Sequence, residues 1–323
     1  MRLLPLAFVW LVAASPAFAT ACGGVDLTAD PSIKPDFAAH ADDMVNSDGL
    51  LWRIEKPGVA PSYLYGTIHS TQPAPMQYAH DAASYAEKAT IVATELGALD
   101  EKVKRELGAQ MLQRSLSPDA DTWAGRLEGD DAARVETMLK AKGVASEMAH
   151  HLKLWMLVMS LALPACETEA QAKGLPMVDE FLANDATAHK IPVVGLESVD
   201  EQMNVIASLP EDVAAMQLRI AARDPAYSDG AYATLLSLYV QKRPAAVLAY
   251  LDLASRLSVA ERKSGDEMTK LLLGDRNRTM AKRAQPLLDK GGAFIAVGAL
   301  HLSGKGGLIE LLRAKGYGIA KVW

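Results

Sequence analysis

Several things are scarce in this 323-residue sequence. It has two cysteines, too few for a zinc site built from thiolates or for a disulfide-dense scaffold. It has no excess of positive charge: the net charge is −6 and no basic stripe stands out, so no nucleic-acid partner is expected. Aromatics make up only 6% of the chain. Beyond the N-terminus no apolar run is long and unbroken enough to cross a bilayer, so no integral span is expected once a leader is removed. What is present is a half-apolar, one-fifth-charged chain. That balance excludes a disordered tail or a collagen-like fibre and suits a mainly helical globule with a sizeable core.

The first residues read as a leader. Arg2 precedes the apolar run Leu3–Ala14, and Ala17-Phe18-Ala19 supplies small residues for a cut before Thr20. Cleavage leaves 304 residues at a charge of −7 and implies an exported bacterial protein, periplasmic or secreted. In an oxidising compartment Cys22 pairs naturally with Cys166. The alternative is a lipid anchor at Cys22, although Ala19-Thr20-Ala21-Cys22 lacks the usual leading Leu of a lipoprotein box.

Helical periodicity runs through Asp81–Thr90, Asp100–Ser115, Asp130–Lys142, Ser146–Leu163, Val199–Ser208, Glu211–Arg223, Gly230–Gln241 and Asp275–Lys290. Ser146–Leu163 is apolar nearly all round after His151, which predicts one buried core helix stopped at Pro164. Four short apolar segments break the pattern: Tyr63–Tyr65, Thr90–Thr94, Ile191–Val194 and Ala293–Val297. They read as strands buried on both faces. Gly316–Val322 adds a fifth, and Trp52-Arg53-Ile54 suggests an edge strand.

The expected fold is therefore α/β, a central and mostly parallel sheet of short buried strands with helices on both faces. A large helical insertion is expected at about residues 100–190. The expected organisation is a leader at 1–19, an N-terminal extension at 20–50 and a single domain over 51–323.

Each of the four strands runs into a side chain with acid/base or metal-binding chemistry: His69, Glu95, Glu197 and His301. Sites in open α/β sheets form outside the carboxyl ends of strands, so these four are expected along one edge. Both histidines close a G-x-x-H motif, Gly66–His69 and Gly298–His301, whose glycine lets backbone pass closely at the strand end. The order His, Glu, Glu, His is palindromic and hints at two facing halves. Imidazole and carboxylate together suit zinc, manganese or cobalt. All four are candidates to hold such an ion, and a carboxylate that does not ligate it could take a proton as general base.

Plainer readings stand beside these. Glu95 and Glu197 also suit the first turn of a helix, where acids complement the macrodipole. His40, His80, His150, His151 and His189 read as surface histidines. Gly304–Gly307 is a tight turn more readily than a phosphate cradle, because it lacks P-loop spacing. Arg276-Asn277 is a charged helix face more readily than an anion clamp.

The run Tyr63–His69, with Glu95 closing the next strand, resembles the opening of the TraB/PrgY/GumN family, and Phe294–Gly316 is similar to its closing motif. Pro164-Ala165-Cys166, Asp179, Gly195-Leu196-Glu197 with Gln202, and Arg276-Asn277 match comparable positions, so the resemblance spans about Leu51 to Val322. It implies a relationship to the TIKI metalloproteases, where two G-x-x-H histidines and an acid carry activity. It also implies a fold like that of the ChaN and erythromycin-esterase proteins. On that reading the chain is a metal-dependent hydrolase acting on a peptide, with His69, Glu95 and His301 at the site and Glu197, Arg276 and Asn277 assisting. The alternatives are a non-catalytic binder of a peptide, haem or small ligand, or an accessory factor in polysaccharide assembly.

Overall fold

A computed structural model describes residues 22–30, 37, 40–118, 121–123, 125–223, 227–254 and 257–323. The leader expected at 1–19 lies outside the described residues. Six strands form one sheet: β1 (Leu51–Glu55), β2 (Ser62–Thr67), β3 (Ile91–Thr94), β4 (Val193–Gly195), β5 (Ala293–Gly298) and β6 (Gly318–Lys321). Their lateral order is β4-β3-β5-β2-β1-β6. The first four in that order are mutually parallel, with Thr94 opposite both Gly195 and Ala296, and Thr67 opposite Gly298. β1 and β6 extend the sheet antiparallel.

Trp52–Ile54 is thus not the edge: β6 pairs outside it, and the edge strands are β4 and β6. The described final residue explains the arrangement. Trp323 packs on Tyr65 and Tyr78, and its carbonyl accepts from Leu50 and Leu51, so the segment after β6 docks alongside β1.

The strands alternate their side chains between two helical layers. Phe294 and Ala296 of β5, with Tyr65 of β2, face α1 (Pro73–Ala86) and a later helix, α7 (Val178–Ala188). Ile295, Val297 and Leu64 face the opposite layer, α13 (Asp275–Lys290) and α14 (Leu308–Arg313). Alanines at 79, 82, 83 and 86 line the buried stripe of α1 and bring that helix close to the sheet.

Two helical excursions leave the sheet. Between β3 and β4 run α2 (Glu101–Ser115), α3 (Gly129–Ala141), α4 (Ser146–His151), α5 (Leu154–Ala162), α6 (Ala165–Ala172) and α7. Between β4 and β5 run α8 (Val199–Ala207), α9 (Glu211–Arg223), α10 (Tyr227–Val240), α11 (Ala246–Ala254), α12 (Val259–Thr269), a π-helical turn at Lys270–Gly274, and α13. The second excursion lies beyond the 100–190 insertion that the sequence predicts. The two share a core in which Leu139, Trp155 and Leu157 meet Met203, Val213 and Leu218.

Ser146–Leu163 is not one helix. It breaks at Leu152 and Lys153, which are extended, because Lys153 N–H donates to Ser115 C=O at 2.7 Å and Leu152 bridges to Leu116. A backbone partner outside the helix wins over local propensity there.

Candidate metal and acid/base site

The parallel register brings the carboxyl ends of β2, β3, β4 and β5 to one edge. Sequence order His69, Glu95, Glu197, His301 becomes the lateral order Glu197, Glu95, His301, His69, acids on one side and histidines on the other. Pairing continues past the strands: Leu196 N–H donates to Thr94 C=O and Glu197 N–H to Glu95 C=O, both at 2.8 Å. Gly97, at φ +78, then turns the chain away, its carbonyl held by Thr94 Oγ1.

Glu95, at the end of β3, is gripped on both oxygens. Oε1 accepts from Gly298 N–H at 2.8 Å and lies 3.7 Å from His301 Nε2. Oε2 accepts from Arg276 Nη2 at 2.6 Å and from Gln202 Nε2 at 3.1 Å. Burial raises this carboxyl, but its attraction to the His301 ring where acid protonates it, the charges of Arg276 and His69, and Gly298 N–H together outweigh burial and hold it well below the usual range. Gln202 reaches it because Ser198 and Glu201 form a capping box that starts α8 directly after Glu197.

Arg276 is the hub. Its Nε and Nη2 fork onto Glu197 at 2.7–3.1 Å, Nη2 also reaches Glu95, and Nη1 donates to Leu272 C=O in the π-helical turn. Such a turn, inserted between α12 and α13, is a feature common at functional sites. Glu197 and Arg276 are both buried. Glu197 stands behind the guanidinium and does not line the cavity, whereas Glu95 and Arg276 do.

His301 follows β5 in a short 3-10 turn and is buried. Its Nδ1 lies 2.5 Å from Asn277 Oδ1, and Asn277 Nδ2 donates to Gly306 C=O at 2.9 Å. The Gly304–Gly307 segment is thus a turn, closed by Gly307 N–H on Gly304 C=O, that anchors Asn277. An amide oxygen accepts only, so Nδ1 carries the proton and Nε2 keeps its lone pair toward Glu95. Burial holds the ring well below its ordinary pKa, against the pull of Glu95, so it is neutral near pH 7.

His69 opens onto the cavity. Its Nδ1 faces Asp179 Oδ1 at 3.4 Å, and that buried oxygen has no hydrogen-bond partner. The Asp179 carboxylate, in the first turn of α7, raises the ring to about 9. Ligation needs the neutral ring, so a cation bound at His69 would displace a proton.

The cavity these groups floor holds about 440 Å³ and has largely apolar walls, among them Met159, Leu163, Ile206, Leu272 and Leu273 from the two helical excursions. The donor set fits a divalent metal. His301 is oriented through Nδ1 by Asn277 Oδ1, the arrangement found behind metal-ligating histidines, while Asp179 Oδ1 stands 3.4 Å from His69 Nδ1 as a charge neighbour that accepts no hydrogen bond. The ligand atoms of His69, Glu95 and His301 do not all approach within 4.8 Å of one another.

Among the described residues the set that does is Glu87, Asp185 and His189, at the opposite edge of the sheet, where α1 and α7 return to β3 and β4. His189 Nδ1 is engaged there by Asp185 C=O at 2.9 Å.

The structure thus gathers His69, Glu95, Arg276 and His301 on one cavity and places Glu197 and Asn277 behind them as partners. The sequence reading singles out Asp179 and Gln202 only as positions that match the family and gives them no role at the site. Their contacts are set by strands a hundred residues away.

Cys22 is bridged to Cys166, with Cα atoms 5.5 Å apart. A sulfur in that bridge carries no lipid thioether. Among the described residues no helix is long and apolar enough to cross a membrane.

The profile of the TraB/PrgY/gumN family matches residues 50–321. Similar proteins include the human metalloprotease TIKI1, 24% identical over 94% of this chain and 66% of its own length. The TIKI homolog of Nematostella vectensis is 23% identical over 86% of this chain and 68% of its own, and TIKI1 of Danio rerio 23% over 84% and 62%. The chain therefore spans about two thirds of the curated relatives it matches. No solved structure matches the chain. With the profile covering nearly all of the sequence beyond residue 50, this chain belongs to the TraB/PrgY/gumN family.

Proposed function

We propose that the protein is an exported metal-dependent hydrolase that cleaves peptide bonds. The observation that carries this reading is His301, neutral, proton-fixed by Asn277 and presenting Nε2 to Glu95 at 3.7 Å on the floor of a cavity. The similar TIKI proteins bear the name metalloprotease, which supports the same chemistry. His69, Glu95 and His301 would hold manganese, cobalt or zinc, and a divalent ion supplies Lewis acidity to such a site.

The chain's own residues do the rest. Asn277 fixes the His301 tautomer, and Asp179 sets a charge beside His69. Arg276, itself oriented by Glu197, holds Glu95 ionised at Oε2, leaving Oε1 as the atom that ligates or takes a proton. The apolar walls exclude water and accept an apolar part of the substrate, a peptide or a small molecule. The leader and the Cys22–Cys166 bridge both suit an oxidising compartment, periplasmic or extracellular.

The test is uptake of Mn2+, Co2+ or Zn2+ by the purified protein, followed by a peptide library. His69→Ala and His301→Ala should abolish both uptake and cleavage. No uptake, with unchanged behaviour of the variants, refutes the proposal. A second reading, non-catalytic capture of a ligand, draws on the engagement of every nitrogen of Arg276 and of Glu95 Oε2 by protein partners. Stoichiometric protection of a ligand without turnover, equal in both histidine variants, would favour it.

A further inference from the structure

Glu167 is a buried acid for which the chemistry above has no use. It sits on α6, next to Cys166, and is fully buried. Its carboxylate accepts five hydrogen bonds: from Ser70 Oγ at 2.9 Å, Thr71 N–H at 2.9 Å, Thr71 Oγ1 at 2.7 Å, Gln72 Nε2 at 3.1 Å and Tyr232 OH. No cation is among these partners. Three consecutive residues, Ser70, Thr71 and Gln72, are thus fixed by one side chain, and they directly follow His69.

Burying a lone carboxylate costs several kcal/mol unless donors compensate it. A carboxylate offers about four acceptor sites and no donor, whereas Gln offers one oxygen and two N–H groups. An amide at 167 would set its NH2 group either against Thr71, whose N–H and hydroxyl donate to Oε2, or against Ser70, Gln72 and Tyr232, which donate to Oε1. The ionised form is the one that accepts from all five donors at once.

The same loop ties to the other half of the histidine's surroundings. Ser70 C=O accepts from Val178 N–H at 3.2 Å, the residue before Asp179. Gln72 meets Cys22 twice, accepting from its N–H at 2.9 Å and approaching Sγ at 3.2 Å. Tyr232 extends from Glu167 and Ser70 to the cavity wall.

We infer that Glu167 is a positioning residue: through Ser70–Gln72 it sets where the His69 ring stands relative to Asp179 and the cavity. Its side chain does not line the cavity. This deepens the proposed function, since it assigns the helical excursion a part in building the site, and one arm of its test does not depend on that function.

The experiment compares wild type with Glu167→Gln and Thr71→Val, using Glu261→Gln as a control that disturbs another buried carboxylate, one held by Ser258 and Arg223. The metal-free readout is the ring 15N–1H NMR signals of His69 and His301, identified by loss in His69→Ala and His301→Ala. The metal readout is a Co2+ titration followed by visible absorption. In Glu167→Gln the His69 signals should shift while those of His301 stay, and Co2+ affinity should fall about tenfold, the scale at which groups behind ligands act. Thr71→Val should shift His69 the same way by less, and Glu261→Gln should not shift it.

A folded Glu167→Gln with unmoved His69 signals overturns the inference. If Glu167→Gln does not fold, Thr71→Val decides alone, and an unmoved His69 there overturns it. If wild type takes up no Co2+ while the His69 shifts occur, the metal reading fails and the positioning role stands.

Discussion

Gly66 of the first G-x-x-H motif rests against Ala299 of the second: a Cβ at Gly66 would lie 2.9 Å from Ala299 Cβ and 3.0 Å from its Cα. The two motifs, separated by more than 200 residues, are in direct contact, which explains the glycine in the first. In the second, a Cβ on Gly298 would stand 3.2 Å from Glu95 Oε1. Gly66→Ala should destabilise the protein by about 1–3 kcal/mol, the usual cost of overpacking. Adding Ala299→Gly should recover part of that loss. Denaturant unfolding of the four forms measures the coupling, and strict additivity would show that the contact is not the cause.

Arg276 compensates two carboxylates at once, with Glu197 and Arg276 both buried. Arg276→Ala should cost about 3–5 kcal/mol, because it strands charge in the interior. Arg276→Lys should recover little, since one ammonium does not reproduce a fork onto Glu197 and a contact to Glu95. Urea midpoints of the two variants, compared with wild type, check both statements.

Asn277 accepts the proton side of His301. Replacing it with Asp puts a negative charge at Nδ1, which favours the imidazolium and should raise the ring pKa. Asn277→Ala frees the tautomer and should weaken Co2+ binding about tenfold. An NMR pH titration of His301 that stays unchanged in Asn277→Asp would contradict the assigned tautomer.

Glu167 predicts a pH dependence of stability. Burial raises its carboxyl, but the bonds from Tyr232, Thr71 and Ser70 outweigh burial and lower it below the free value. A group lowered on folding contributes stability above its unfolded pKa, near 4.3, and that contribution is lost as pH falls through the folded value. The stability gap between wild type and Glu167→Gln should thus be widest above about pH 5 and narrow in acid. A gap independent of pH from 7 to 3 would be the contrary result.

The Cys22–Cys166 bridge closes a loop over a sequence separation of 144. Paired Cys22→Ser and Cys166→Ser changes should cost about 2–5 kcal/mol. Intact mass before and after reduction and alkylation should show one bridge and no lipid on Cys22.

Much of the fold is legible in the sequence for a local reason. A buried strand is short and rich in apolar, β-branched or aromatic residues, and Tyr63–Tyr65, Thr90–Thr94 and Ala293–Val297 announce themselves that way. Each ends in His69, Glu95 or His301, so the membership of the edge follows from reading strand ends. The break at Leu152 is not legible, because it depends on Ser115 and Leu116 offering backbone partners from another element. Nor is Glu167, an acid in an ordinary helix until Ser70, Thr71 and Tyr232 surround it.

The sequence by itself determines which chemical groups stand at strand ends: two imidazoles, two carboxylates, and glycines that allow close approach. Side-chain type and strand periodicity are written residue by residue. Only the tertiary structure decides their neighbours. The lateral strand order sets Glu95 beside His301, α13 brings Arg276 between Glu95 and Glu197, and α7 sets Asp179 against His69. Protonation follows burial and the charges nearby. The neutral His301, the ionised Glu95 and the raised His69 are therefore properties of the fold, not of the motif.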